Sequence, residues 1–250
     1  MRCTVIGCWG GCCRKDGACS GYLLQHGDAA LLLDCGSGVA SAVQNVIPLT
    51  QLHHVVVSHY HFDHCSDAGA LDYGRLIDTQ RGVTSTPLTF WAPDDAAELA
   101  RLAMPPYSEA QAVHAGETMQ IGPFSCSFLR TKHPVECLAV RVECAGGVLV
   151  YTADGAYTEE LAAFAAGADV LITECSLYAG ADGSRAGHMA CTDAARLATR
   201  AKPGTLVLSH LPVYGDVQEL LRDVQAVWDG KTLLASRLLA LDVPERKGES

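Results

Sequence analysis

The sequence predicts an α/β protein whose polar residues gather at the carboxyl ends of its strands. In the second half, apolar runs alternate with amphipathic stretches: Val148 to Thr152, Glu159 to Ala166, Val170 to Thr173 and Thr205 to Leu208. His59, Asp154, Glu174 and His210 each come after a short apolar run. The β-branched run Val55-Val56-Val57 leads into Ser58-His59-Tyr60-His61-Phe62-Asp63-His64, an H-x-H-x-D-H pattern. Polar residues at successive strand ends converge on one edge of a sheet, where α/β proteins place their sites.

Taken in order, Arg2 to Gly7 reads as a strand entering the loop Gly7-Cys8-Trp9-Gly10-Gly11. Neither the phosphate-loop nor the G-x-G-x-x-G spacing is present, so a nucleotide cradle is not expected. Strands follow near Gly21 to His26 and Ala30 to Asp34, and the glycines of Asp34-Cys35-Gly36-Ser37-Gly38 suggest a tight turn into a helix from Val39 to Asn45. Asp34 either holds a catalytic loop or caps that helix. After Val57, extended backbone would turn His59, His61 and Asp63 to one side and Tyr60 and Phe62 to the other, with a turn at Asp63 bringing His64 round to a second metal.

Asp67 to Asp78 reads as helix, Leu88 to Ala92 as strand, and Asp94 as the cap of a helix through Ala103. Pro105 to Glu117 shows no period and is expected to be a loop over the site. Phe124 to Arg130 alternates and delivers Lys132-His133-Pro134, and Leu138 to Cys144 pairs with Val148 to Thr152 through Ala145-Gly146-Gly147. A helix capped by Thr192 and ended by Pro203-Gly204 precedes Thr205 to Leu208. A last helix, Val217 to Val227, leads to a strand around Leu233.

With 250 residues, 49% of them hydrophobic, the chain can bury a large core, as one big domain or two tightly joined halves, and a single domain over residues 1–250 is expected. A net charge of −10 argues against a footprint for long nucleic acid. There is no secretory signal pattern and no segment suited to a bilayer, so a cytoplasmic protein without membrane contact is expected. The twelve cysteines read mainly as small buried apolar residues of a reducing compartment. Cys8, Cys12, Cys13 and Cys19 cluster with a spacing that is not a standard zinc pattern, leaving an accessory metal site or plain loop thiols. A homodimer is left open.

Collecting the strand ends gives two donor sets. His59, His61 and His133 make one; Asp63, His64 and His210 make the other; Asp154 could bridge them. Such mixed imidazole and carboxylate ligation suits two Zn2+ per chain, with Mn2+ or Fe2+ as alternatives. A hydroxide held between two metal ions roughly 3.5–4 Å apart is nucleophilic at neutral pH, so hydrolysis is the expected chemistry.

His59 to His64, His133, Asp154 and His210, in this order and after strands, resemble the metallo-β-lactamase superfamily, which implies a four-layer αββα sandwich over nearly the whole chain. The Gly7 to Gly11 loop, Leu33-Asp34-Cys35-Gly36, Tyr151-Thr152-Ala153-Asp154 and Gly187-His188-Met189-Ala190-Cys191-Thr192 are similar to ribonuclease Z and related small phosphodiesterases. The resemblance implies catalytic roles for Asp63, also a ligand, and for His188 and Glu174. His188 would stabilise the transition state or protonate the leaving oxygen, with Glu174 orienting its imidazole. The interval from His133 to Asp154 holds only two strands and their turn, with no room for the projecting arm by which the tRNA-processing relatives grip tRNA. With the acidic balance, this shifts the expected substrate to a small or cyclic phosphodiester or a short nucleic-acid end. His61 stands where redox di-iron relatives look like they use a carboxylate, which favours a hydrolytic site. The alternative is a lactone or thioester hydrolase on the same dinuclear site, with Tyr178 or Tyr151 polarising the carbonyl. A third reading is a metal-storage or redox-sensing protein built on the thiols and histidines.

Overall fold

A computed structural model describes residues 1–245. Backbone contacts group them into two compact units. The first holds residues 2–114 and 237–241, the second residue 1 and residues 115–236 and 242–245.

The first unit is built on a seven-stranded sheet. Its strands are β1 (Arg2–Gly7), β2 (Gly21–His26), β3 (Ala29–Leu33), β4 (His54–Val56), β5 (Leu88–Pro93), β6 (Ser108–Val113) and β14 (Ala240–Asp242), in the order β14-β1-β2-β3-β4-β5-β6. β1, β2 and β3 pair antiparallel; β3 to β6 pair parallel. Short helix α1 (Val39–Ala42) continues as a 3-10 turn, α2 (Phe62–Cys65) is a single turn, and α3 (Ala68–Gln80) and α4 (Ala96–Leu102) complete the unit. Ile6, Leu23, Leu32, Val55, Val57 and Phe90 from the sheet pack with Val39, Val43 and Leu71 from the helices in one buried cluster. That core holds the polar strand ends at fixed spacing.

The second unit repeats the plan. β7 (Thr118–Ile121), β8 (Phe124–Arg130), β9 (Leu138–Cys144) and β10 (Gly147–Tyr151) form an antiparallel run. β10, β11 (Val170–Glu174), β12 (Thr205–Ser209) and β13 (Thr232–Leu234) continue it in parallel. Helices α5 (Glu159–Phe164), α6 (Cys191–Ala201) and α7 (Val217–Gln225) belong to this unit. β10 and β11 are buried at every residue, the near-continuous apolar reading of central parallel strands, whereas β8 alternates.

Several expectations need correction. Pro105 to Glu117 is not a bare loop, because Ser108–Val113 is an edge strand paired with β5 over six residues. Its alternation is carried by Ser108, Ala110 and Ala112 rather than by β-branched or aromatic residues, which hid it. β7 and β14 also escaped notice. The α4 cap is Asp95, whose carboxylate accepts from the Ala97 and Glu98 amides at 3.0 and 3.1 Å, not Asp94. Helix α6 starts from Ala190 rather than Thr192, and Asp193 Oδ2 reaches back to the Ala190 amide at 3.2 Å. Strand β4 ends at Val56 and the chain bends at Ser58, Tyr60 and His61 before Asp63 and His64 fall on the turn of α2, so strand alternation does not place His59, His61 or Asp63.

Candidate metal centre

In the first unit the ladder runs past the strands: the Asp34 amide donates to Val56 O and the Val57 amide to Trp91 O, both at 2.8 Å. This brings Ser58 against Asp34, a left-handed residue (φ 59°) that is fully buried. Asp34 Oδ1 accepts the Ser58 amide at 2.7 Å, while Oδ2 accepts Ser58 Oγ at 2.9 Å and His64 Nδ1 at 2.7 Å. A hydroxyl has one proton to give, so Ser58 Oγ accepts from His59 Nδ1 at 3.0 Å. His59 and His64 are both thereby set in the tautomer whose lone pair lies on Nε2, the form that binds a cation. His59 Nε2 faces His61 Nδ1 at 3.0 Å, and the His59 ring centroid lies 4.2 Å from that of His64. Asp63 Oδ2 accepts the Gly11 amide at 2.6 Å and lies 3.5 Å from His64 Nε2. Gly36 makes this packing feasible: a Cβ there would stand 1.9 Å from the Asp63 carbonyl oxygen.

The second unit arrives at a similar arrangement by another route. Ala153 turns the chain after β10 at φ 50°, which sets Asp154 in a buried position with Oδ1 3.3 Å from His210 Nε2. His210, itself left-handed at φ 49°, ends the β12 segment. Glu174, at the end of β11 and buried, accepts the Gly155 amide at 2.6 Å, the Met189 amide at 3.0 Å and Ser176 Oγ at 2.6 Å. Since Ser176 gives its proton to Glu174, its oxygen accepts from His210 Nδ1 at 2.8 Å, again leaving the lone pair on Nε2. His133 reaches the same tautomer by donating Nδ1–H to Gly187 O at 3.0 Å.

His188 is held differently. Its Nδ1 lies 3.2 and 3.3 Å from the two Glu174 oxygens and 4.0 Å from Asp154 Oδ2. Its ring stacks on His210 (centroids 5.6 Å apart, 14° between planes) and meets His133 edge-on at 5.3 Å. At 26% exposure it faces solvent more than His210 at 6%. Glu174, His188 and His210 each bring one candidate ligand atom within 4.8 Å of the others.

Serines 58 and 176 were not singled out in the sequence, although Ser58 adjoins His59 and Ser176 lies two positions after Glu174. Among the described residues no cysteine belongs to a group of three or more candidate ligands. Burial pushes the Cys8 thiol up to about 12, and burial followed by the charges of Asp63, Cys13 and Cys12 does the same for Cys19. The Tyr178 hydroxyl donates to Tyr214 O at 2.7 Å and Tyr151 is buried in β10, so neither phenol stands ready to polarise a substrate carbonyl.

A family model described as a beta-lactamase superfamily domain matches residues 30–211. The chain belongs to the beta-lactamase superfamily. Within the superfamily it is 39% identical over 236 residues to a probable metallo-hydrolase, YhfI, of Bacillus subtilis, covering 94% of this chain and 97% of that one. The crystal structure of YhfI, a metallo-β-lactamase fold protein, superposes with a TM-score of 0.94 at 37% identity, covering 96% and 98% of the two chains. The fold is therefore the metallo-β-lactamase fold, the αββα class the sequence suggests. A ribonuclease Z of Mycobacterium bovis is 26% identical over 250 residues, 88% of this chain and 89% of its own length. A diphosphatase of the PhnP family, at 16% identity and a TM-score of 0.77 over 98% of each chain, shares the fold. No helix among the described residues is long and apolar enough to cross a membrane.

Proposed function

We propose that this metallo-hydrolase is a dinuclear zinc phosphodiesterase acting on a small or cyclic phosphodiester or a short nucleic-acid end. His59, His61 and His133 would hold one ion and Asp63, His64 and His210 the other, with Asp154 shared. The donor chemistry fits: four of these imidazoles carry their proton on Nδ1 against a serine, carboxylate or carbonyl oxygen, which aims a basic Nε2 at a cation. Bound divalent ions supply a water that loses its proton near neutral pH and positive charge against the phosphoryl oxygens.

The observation that carries the reading is the pairing of His188 with Glu174. A carboxylate on Nδ1 stabilises the imidazolium, so His188 can deliver a proton from Nε2 to the departing oxygen and recover it from solvent. Asp63, which would also be a ligand, would take the proton of the attacking water. The engaged hydroxyl of Tyr178 counts against the lactone alternative. A cytoplasmic setting suits a chain so rich in cysteines, most of them buried.

The test is metal analysis of the purified protein together with turnover of bis(p-nitrophenyl) phosphate. About two zinc ions per chain and measurable cleavage are expected. Strong lactonase activity with no phosphodiester cleavage would defeat the reading.

A further inference from the structure

Beside His133 the second unit has an open cavity of about 410 Å3, lined by Lys132, His133, Pro134, Ser184, Arg185 and Gly187. That volume falls within the roughly 300–1,000 Å3 of small-ligand sites. In a chain of net charge −10, two cations sharing one small cavity are notable, and neither has a role in the site already described. The loop that carries Arg185 is held in place. The His188 amide donates to Gly183 O at 3.0 Å, the Ser184 amide to Asp182 Oδ1 at 2.9 Å, and His133 Nδ1 to Gly187 O. Gly187 is left-handed at φ 76°, and a Cβ on it would stand 2.7 Å from Pro134 Cδ and 2.8 Å from His133 Cα. The cavity wall is thus the same contact that orients the His133 ring.

We propose that Lys132, Ser184 and Arg185 form a second anion subsite, which takes a phosphate carried by the substrate in addition to its scissile phosphodiester. The proposal rests on the phosphodiesterase reading and narrows it to substrates such as a 5′-phosphorylated oligonucleotide end. The guanidinium offers a planar fork for two phosphate oxygens, the ammonium a point charge and the hydroxyl a further donor. Asp182 is the competing acid: hydrogen bonds from Ser184 and then the charges of Lys132 and Arg185 hold its carboxyl below the usual range. An incoming phosphate has the greater charge and displaces that weak, exposed pairing.

The experiment compares the zinc-loaded full chain on adenylyl-adenosine with and without a 5′-phosphate. Wild type should favour the phosphorylated dinucleotide by about tenfold in kcat/KM. In Lys132→Ala/Arg185→Ala the ratio should fall to about one, and Lys132→Arg should retain it. A wild-type ratio near one, or a ratio unchanged in the double variant, overturns the subsite while leaving the phosphodiesterase reading intact. If neither dinucleotide nor bis(p-nitrophenyl) phosphate is cleaved, the phosphodiesterase reading fails instead. Calorimetric titration with inorganic phosphate then decides the subsite: about tenfold weaker binding by the double variant supports it, and equal binding removes it.

Discussion

The two units solve one problem with opposite sequence economies. In the first, four donors arrive on the single stretch His59 to His64; in the second, His133, Asp154, Glu174, His188 and His210 come from separate loops and strand ends. Yet both finish in the same three-part device. A buried carboxylate at a strand end, Asp34 or Glu174, accepts a serine hydroxyl, and that serine, 58 or 176, accepts an imidazole Nδ1–H. Each carboxylate also takes the Nδ1 of a second histidine, His64 in one unit and His188 in the other. The difference lies in what that second histidine does. His64 is fully buried, whereas His188 is partly exposed, as the proposed exchange of protons with substrate and solvent would require.

If that contrast is right, His188→Ala should have the largest effect on turnover, a loss of about 10²- to 10⁴-fold with metal content intact by elemental analysis. Metal loss in this variant would move His188 into the ligand set and erase the distinction. Next come the serines. Ser58→Ala and Ser176→Ala should each weaken metal binding by about 10- to 100-fold in competition with a chelator, because each frees an imidazole to adopt the wrong tautomer. Comparable losses would support the equivalence of the two devices, and a silent variant in one unit would break it.

The smallest effect separates a well-partnered buried acid from a poorly partnered one. Asp72 on α3 is buried with Oδ1 lacking a hydrogen-bond partner, and burial, opposed by a hydrogen bond from Ser108, raises its pKa to about 6. The folded state therefore holds this proton more tightly than the unfolded chain. Its contribution to stability is fullest below about pH 4, declines as pH rises to about 6, and is unfavourable above. Asp72→Asn should match wild type near pH 4 and exceed it by about 1–2 kcal/mol at pH 7.5 in thermal melts, the figure reduced for solvent screening. Equal melting curves at both pH values would show that Asp72 is adequately paired after all.

What could be read from the sequence follows the same contrast. H-x-H-x-D-H was legible because strand and ligands are contiguous, and Asp154, Glu174 and His210 because each follows a buried apolar run; His133 follows the alternating β8, and His188 was legible only through the family resemblance of Gly187-His188. The serine relays were not, since Ser58 and Ser176 look like ordinary strand-end polar residues until the register of β3 with β4 and of β11 with β12 brings partners beside them. Asp34 remained undecided between cap and support for a related reason: the bonds its carboxylate accepts from Ser58 and His64 come from residues more than twenty positions away. Edge strand β6 was missed because weak alternation in Ser-Glu-Ala-Gln-Ala-Val becomes a strand only through pairing with β5.

Gly187 gives the proposed specificity pocket and the His133 imidazole a common hinge. An anion in the proposed pocket and an ion on the His133 ring would both bear on the Gly187 carbonyl that accepts from His133 Nδ1. Linkage then demands symmetry: whatever factor an anion imposes on ion affinity, the ion imposes on anion affinity. Substrate choice and metal retention would be two readings of one equilibrium.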